Sequence, residues 1–318
     1  MASIVDAVRT TCARVAQNAD LVQIDADAVA RLAQAFDVAG AKRRADGDVV
    51  GDPNNPERAI ALALASVAIN FTSGWHDIIR KRPGMSGATS MVARLVDYEQ
   101  ITGAFTPARL QQITAVDCSQ IFEQELDGGA VQHLLDLLSD TLNDLGALGE
   151  ASGSFSAFVD GADASAVALT TALAERAPWH DVATHHGQPV AFHKRAQLAA
   201  ATLHRTFGGS TFGRFDDLDE LTIFADNLVP HVLRLDGVLS YDAELLATID
   251  RGELLEHGSP GEVEIRACGV HAAELLAAGL RRLGHEITCA DIDHALWSRG
   301  GGPTYKAARR HRCRNRFY

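Results

Sequence analysis

The sequence predicts a mainly α-helical fold, because most segments repeat their apolar residues at the three- and four-residue spacing of a helix. Strand signals are scarce, and the best of them is a short stretch at residues 188–193. No repeat occurs at the periods that are typical of solenoid proteins. We therefore expect a chain of helices with few short strands.

A chain of 318 residues with 47% hydrophobic positions can bury the core of one large domain. Glycines between residues 149 and 161 separate a first half from a second. We expect a single domain, with two lobes at about 1–150 and 151–318 and the functional site between them.

The first expected helix lies at residues 29–36, where apolar side chains fall on one face. Asp25 or Asp27 is its candidate N-cap. Residues 39–56 collect glycine, proline and charge without periodicity, and this composition predicts a long mobile loop.

Three further segments have helical signals. Thr106 and Pro107 have the chemistry of an N-cap and a first helical turn. Leucines at residues 134–145 continue the helical period. The clearest helix carries an apolar stripe at residues 265–283, with acidic residues early, arginines late and Gly284 as a stop.

Charge and cysteine content exclude several classes of protein. The formal net charge of -12 repels a phosphate backbone, so it disfavours duplex nucleic acid as a partner. The 5 cysteines are widely spaced and never form C-x-x-C, which predicts a reducing cytoplasm and neither a disulfide framework nor a zinc site. The most apolar run, residues 59–69, is shorter than the roughly 20 residues of a membrane span.

The C-terminal tail, residues 306–318, is strongly basic. It holds six lysine and arginine residues and no acid. We favour a tail that is solvated, or docked on the acidic body through Phe317 and Tyr318, over one that contacts nucleic acid.

Common catalytic motifs are missing from the sequence. It contains no P-loop, no H-E-x-x-H, no G-x-S-x-G and no Rossmann glycine fingerprint after a strand. His185, His186 and His193 lie close together, but no carboxylate or cysteine pattern accompanies them. We therefore predict no metal and no cofactor.

Two carboxylates stand out by their surroundings. Asp226 lies inside the apolar stretch 221–230, where a carboxylate is costly unless it is used or paired. The spacing alone allows a helix cap, a pair with Arg234 or a catalytic role. Asp293 has the same ambiguity, with a helix start as its structural alternative.

Five blocks of the sequence, taken with their order and spacing, carry a resemblance to a known family. The blocks are 193–198 (HKRAQL), 221–234 (LTIFADNLVPHVLR), 237–241 (GVLSY), 262–267 (EVEIRA) and the pair Ile292-Asp293 with Leu296-Trp297. From about residue 150 to the end, the chain resembles the queuosine salvage proteins, which are queuosine 5'-phosphate N-glycosylase/hydrolases.

The resemblance implies a mostly helical fold similar to helix-hairpin-helix DNA glycosylases. It also implies hydrolysis of queuosine 5'-monophosphate to queuine and ribose 5-phosphate. In the family's F-A-D motif the aromatic residue contacts the deazapurine and the aspartate is catalytic, which assigns these roles to Phe224 and Asp226. The acid of the family's D-x-x-L-W block contacts the base and corresponds to Asp293.

These residue types suit the chemistry. Cleavage of an N-glycosidic bond builds positive charge on the sugar, which a carboxylate stabilises. Phe224 offers a stacking surface for the base, and Asp293, with its neighbour His294, offers polar contacts. Lys194 or Arg195 would meet the 5'-phosphate, unless they are surface-paired cations.

The sequence departs from the family pattern mainly at positions for base recognition. His193 stands where the family has a tyrosine, and Asn227 and the residue after it stand where the family has tyrosine-arginine. His294 stands in place of an aromatic residue, and Ser298 stands in place of an acid. The stretch 39–56 has no counterpart of an N-terminal histidine that contacts the base. Alternative functions are therefore an N-glycosidase for another 7-deazapurine or purine nucleotide, or a non-catalytic nucleotide-binding protein.

Overall fold

The computed structural model describes residues 3–45 and 50–318, and within them the predicted mainly α-helical class is confirmed. The α-helices are α1 (Ile4–Gln17), α2 (Ala26–Ala35), α3 (Val38–Ala45), α4 (Pro56–Ala68), α5 (Gly87–Thr102), α6 (Pro107–Leu110), α7 (Ala115–Ile121), α8 (Ala130–Ala151), α9 (Phe155–Asp160), α10 (Ala166–Ala174), α11 (Lys194–Thr206), α12 (Leu228–Leu235), α13 (Ala243–Asp250), α14 (Pro260–Arg282), α15 (Cys289–Gly300) and α16 (Pro303–Ala307). The strands are β1 (Val22–Ile24), β2 (Val182–His185), β3 (Gln188–Ala191) and β4 (Leu239–Tyr241). The similarity to helix-hairpin-helix DNA glycosylases stays a prediction.

The chain divides into two compact units, each assembled from segments that are distant in sequence. The first unit holds the described residues of Met1–Gly47 together with Asp181–Gln197 and Asp217–Cys313. The second unit holds the described residues of Asp48–His180 together with Leu198–Asp216 and Arg314–Tyr318. The position of the site between two lobes stays a prediction.

Helix α14 is the centre of the first unit's core. Helices α1, α2, α12 and α15 pack against it, and Ile265, Cys268 and Leu276 are almost fully buried. The predicted stripe is therefore correct for most of its length, although Leu275 and Leu283 are exposed. Gly284 follows the helix end with a φ of +85°, the left-handed conformation that glycine adopts without strain.

The strands form two antiparallel pairs in the first unit. Strand β1 pairs with β4, and β2 pairs with β3. The hairpin of β2 and β3 turns at His186 and Gly187, which both have positive φ, as a two-residue hairpin turn requires. The predicted strand at 188–193 thus exists, and it ends at Ala191.

The second unit is built around helix α8. Its leucines at residues 134–145 are buried, as the sequence predicted, and α4, α6 and α7 pack on it. Thr106 caps α6 by accepting a hydrogen bond from the Arg109 amide. At Gly146 a Cβ atom would lie 2.7 Å from the Pro107 carbonyl oxygen, so the close approach of α6 and α8 requires glycine.

The prediction of a mobile loop at 39–56 is wrong for residues 39–45, which lie in α3. The carboxylate of Asp37 accepts a hydrogen bond from the Gly40 amide at the start of this helix, and the buried Ala41 gives it an apolar contact. A charged segment with one buried side chain does not show the three- to four-residue spacing of apolar residues that predicts a helix. Residues 46–49 lie outside the described residues, and 50–55 have no regular structure.

The basic tail is docked, which confirms one of the two favoured alternatives. In the first unit the Arg312 side chain donates to the Gly252 carbonyl, and the Leu255 amide donates to the Arg312 carbonyl. In the second unit Tyr318 is buried, and its carbonyl accepts from the Ser73 hydroxyl at 3.1 Å.

Within residues 3–45 and 50–318, none of the helices has both the length and the apolar character that crossing a bilayer requires.

Candidate active site

All six candidate site residues of the sequence analysis lie in the first unit, and two of them lie on the segment 221–226. This segment has no regular secondary structure and leads directly into α12. Residues 221–225 are buried, whereas Asp226 is half-buried. A buried segment that lacks the hydrogen bonds of a helix or sheet needs other partners for its backbone N–H and C=O groups. Here side chains are those partners.

Gln197, on α11, binds the beginning of the segment. Its side-chain oxygen accepts a hydrogen bond from the Thr222 amide at 2.9 Å, and its side-chain nitrogen donates to the Thr222 hydroxyl and to the Phe192 carbonyl, both at 3.0 Å. Gln197 lies in one of the blocks that carry the resemblance, but no sequence pattern assigned it a role.

Asp293 binds the middle of the segment from α15. Its Oδ1 accepts a hydrogen bond from the Phe224 amide at 2.9 Å, and its side chain is buried. The structural alternative of a helix start is wrong, because Thr288 caps α15 in a capping box with Asp291. Asp293 thus contacts the backbone of the residue that carries the predicted stacking ring, and a base contact stays a prediction.

Arg266, on α14, binds the segment directly before the candidate catalytic aspartate. Its Nε donates to the Ala225 carbonyl at 3.1 Å, and its two terminal nitrogens donate to the carboxylate of Asp181 at 3.0 and 2.6 Å. Its guanidinium carbon lies 3.9 Å from the centre of the Phe192 ring. Sequence reasoning missed this pair, because its two members are 85 positions apart.

Asp226 caps helix α12. Its Oδ1 accepts hydrogen bonds from the Leu228 amide at 2.8 Å and the Val229 amide at 3.0 Å. The cap is therefore correct as a structural role. The proposed partner Arg234 instead donates to the Arg309 carbonyl. Both capping bonds end on Oδ1, so one carboxylate can cap the helix with one oxygen and face a substrate with the other.

Lys194 and Arg195 begin α11 and are both buried, with exposed fractions of 4% and 2%. The alternative of surface-paired cations is therefore wrong. Burial lowers the pKa of the Lys194 ammonium to about 8, while the negative charges of Asp226 and Asp293 act in the opposite direction. The ammonium is therefore electrostatically coupled to both candidate carboxylates.

Two positions where the sequence departs from the family pattern have structural roles here. The side-chain nitrogen Nδ2 of Asn227 donates to the His311 carbonyl at 3.0 Å and so contacts the docked tail. His193 has a φ of +48°, and its backbone amide donates to the Asp181 carbonyl at 3.2 Å. His294 is half-buried beside Asp293 on α15, and its contact with a base stays a prediction.

One group of described residues has the composition of a metal site. Ligand atoms of His257, Glu262 and Cys313 lie within 4.8 Å of one another. Sequence spacing did not show it, because Cys313 is far from the other two. Glu262 already faces Arg266 at 3.6 Å and accepts from the Gly258 amide at 3.0 Å, so we assign its carboxylate to the ion network of α14.

Of the three histidines that lie close together in the sequence, His185 and His186 stack their rings at a centroid distance of 4.1 Å. His185 lies 3.1 Å from Glu264, whose carboxylate also accepts from the amides of Leu21 and Val22. His186 lies 3.5 Å from Asp20. These histidines thus have local acidic neighbours on the hairpin side of the first unit.

Comparison with known proteins gives a consistent result. The family model described as queuosine salvage protein matches residues 69–318. A protein of Sphaerobacter thermophilus named queuosine 5'-phosphate N-glycosylase/hydrolase is 36% identical over 98% of this chain and 97% of its own length. A Bos taurus protein of the same name is 30% identical over 89% of each chain. One from Schizosaccharomyces pombe is 35% identical over 39% of this chain and 36% of its own.

Proposed function

The chain belongs to the queuosine salvage protein family, and we propose that it is an N-glycosidase that hydrolyses queuosine 5'-monophosphate to queuine and ribose 5-phosphate. The observation that carries the assignment to a site is the half-buried Asp226, fixed by two amides of α12 and electrostatically coupled to the buried ammonium of Lys194. The relatives named above support the reaction class and the substrate.

The reaction breaks the bond between C1' of the ribose and the glycosidic nitrogen of the base. Water supplies the hydroxyl group for C1' and the proton for the departing base. The sugar gains positive charge in the transition state, and the oxygen of Asp226 that does not cap α12 stabilises it. Because the capping bonds fix the carboxylate in advance, little reorganisation is needed when the charge develops.

The remaining residues bind the two ends of the nucleotide. Phe224, two residues before Asp226, gives the base an apolar face, and Asp293 and His294 supply polar contacts to its edge. Lys194, or its neighbour Arg195, binds the 5'-phosphate. A phosphate dianion near Lys194 would compensate the cost of burying that ammonium.

The decisive experiment is incubation of the purified protein with queuosine 5'-monophosphate and detection of free queuine and ribose 5-phosphate. A panel with guanosine, adenosine and 7-deazaguanosine 5'-monophosphates tests the alternative substrates that the changes at His193, Asn227, His294 and Ser298 suggest. Release from another panel member alone would transfer the proposal to that nucleotide. Tight binding without release would favour the non-catalytic alternative.

We expect the 5'-monophosphate to be a better substrate than the free nucleoside by about tenfold or more, because a charge-assisted phosphate contact contributes roughly 1.5 to 3 kcal/mol. The contact is to Lys194 or Arg195. The measurement is kcat/KM for both forms at pH 7. Equal values would contradict a phosphate site at the start of α11.

We expect hydrolysis to survive exhaustive treatment with a chelator, because Asp226 and water supply the chemistry without a metal. The cluster of His257, Glu262 and Cys313 makes this measurement informative. The assay compares turnover before and after chelation, with metal content measured in both samples. Loss of turnover that zinc restores would show that a metal is needed.

A further inference from the structure

Asp181 and Arg266 form a buried ion pair, and stability alone does not explain why the protein has one. Both side chains are buried, with exposed fractions of 2% and 0%. Removing two charges from water costs several kcal/mol per ion, and apolar replacements of such pairs are often neutral or stabilising. A buried pair of this kind is therefore a reason to ask what geometry it specifies.

The pair contacts both parts of the candidate site. Arg266 binds the Ala225 carbonyl, one residue before Asp226. Asp181 accepts a hydrogen bond from the backbone amide of Lys194 at 3.3 Å. Asp181 and Arg266 are joined by two hydrogen bonds. The backbone beside Asp226 and the backbone of Lys194 are therefore linked through only these two side chains.

The backbone next to Lys194 is strained, and Asp181 holds it. His193 adopts a φ of +48°, a conformation that is uncommon for residues other than glycine and costs of order 1 kcal/mol or more. The Asp181 carbonyl accepts hydrogen bonds from the amides of Phe192 at 3.0 Å and His193 at 3.2 Å. The direction in which α11 begins therefore depends on the backbone of residue 181, and the Asp181 side chain adds the hydrogen bond from the Lys194 amide at 3.3 Å.

Phe192 adds a contact that limits how Arg266 can move. Its ring lies against the guanidinium group at 3.9 Å, and its carbonyl accepts from Gln197. Arg266 is thus held in its plane by Asp181 and the Ala225 carbonyl, and from one face by Phe192. A planar group with this many fixed contacts suits a positioning role better than lysine would.

We propose that Asp181 and Arg266 form a positioning pair for N-glycosidic hydrolysis, which sets the Asp226 carboxylate and the Lys194 ammonium at a fixed separation without touching the substrate. This inference rests on the proposed function of Asp226 and Lys194. The separation matters because the carboxylate must meet C1' while the cation meets the phosphate of the same nucleotide. A misplacement of about 1 Å in such a site can cost about 100-fold in rate.

The test compares Arg266→Met, Asp181→Asn and the double variant with a matched control, Arg176→Met. Arg176 makes a pair with the same two-bond geometry, with Asp144 at 2.8 and 2.6 Å in the second unit, where the two side chains are 28% and 19% exposed. We expect kcat to fall about tenfold or more in each single variant of the positioning pair, while KM changes less than threefold. The double variant should lose no more than the larger single loss, because the pair acts as one unit.

The control separates positioning from stability. Arg176→Met should lower the melting temperature and leave kcat at the wild-type value. If Arg266→Met does not fold, Asp181→Asn decides, because the amide keeps the shape of the carboxylate. Wild-type kcat in folded Asp181→Asn would overturn the proposal, as would a loss that appears only in KM.

A crystal structure of Asp181→Asn provides a readout that is independent of activity. We expect the separation of the Lys194 and Asp226 side chains to differ from that in the wild-type protein. An unchanged separation would overturn the positioning role even if the wild-type protein released no base. Failure of the wild-type protein to release base from any nucleotide would instead overturn the proposed function, so the two failures are distinguishable.

Discussion

Replacing Asp226 with asparagine should lower the rate of N-glycosidic hydrolysis by about 100-fold or more and leave nucleotide affinity nearly unchanged. The amide keeps an oxygen that can accept the hydrogen bonds of the Leu228 and Val229 amides, so the cap of α12 survives. What disappears is the negative charge that stabilises the sugar in the transition state. The measurements are single-turnover rate and equilibrium binding of the 5'-monophosphate.

The matched control is Asp242→Asn. Asp242 caps α13 in the same way, because its Oδ1 accepts from the amides of Glu244 at 2.9 Å and Leu245 at 3.4 Å. This control should show a similar, small change in melting temperature and a wild-type rate. A folded Asp226→Asn protein with a near wild-type rate would show that another carboxylate is catalytic.

Replacing Lys194 with methionine should remove the preference for the nucleotide over the nucleoside. It should also remove the pH dependence of that preference. In the wild-type protein, burial lowers the pKa of Lys194 to about 8. The ammonium is therefore charged below pH 8 and loses its charge as the pH rises through 8. The ratio of kcat/KM for nucleotide over nucleoside should accordingly be high at pH 7 and fall above pH 8.

The control for this experiment is the neighbouring Arg195→Met. Arginine does not titrate in this range, so this variant should keep the break near pH 8 even if its overall rate is lower. The measurement is the ratio of kcat/KM between pH 6.5 and 9.5 for all three proteins. A break near pH 8 that persists in Lys194→Met would assign the titration to another group.

Local chemistry explains which parts of the fold were predictable. The N-cap of α2, the N-cap of α6 and the stop after α14 are signals that act within a few residues. Asp25, one of the two candidates, caps α2, while Thr106 caps α6 and Gly284 follows α14 as predicted. Helix α3 was missed, because a short charged helix whose described buried positions are the adjacent Gly40 and Ala41 shows no helical spacing of apolar residues.

The site was predictable only in part. The resemblance implies site roles for Asp226 and Phe224, which stay predictions, and the cap formed by Asp226 was among the structural alternatives. Asp181 gave no signal at all, because its partner Arg266 comes from a distant segment and only the folded chain brings them together. Burial of Lys194 was equally hidden, since a lysine-arginine pair at a helix start is usually solvated.

In our proposal the two oxygens of the Asp226 carboxylate have different roles, and this has an evolutionary consequence. One oxygen caps α12 and the other stabilises the sugar in the proposed mechanism, so under that proposal a single substitution to asparagine would stop the reaction without unfolding the chain. Natural selection then cannot remove such a change through misfolding. We expect duplicated genes of this family to yield inactive descendants that still capture the nucleotide, and a sensor or carrier would need no further remodelling of α12.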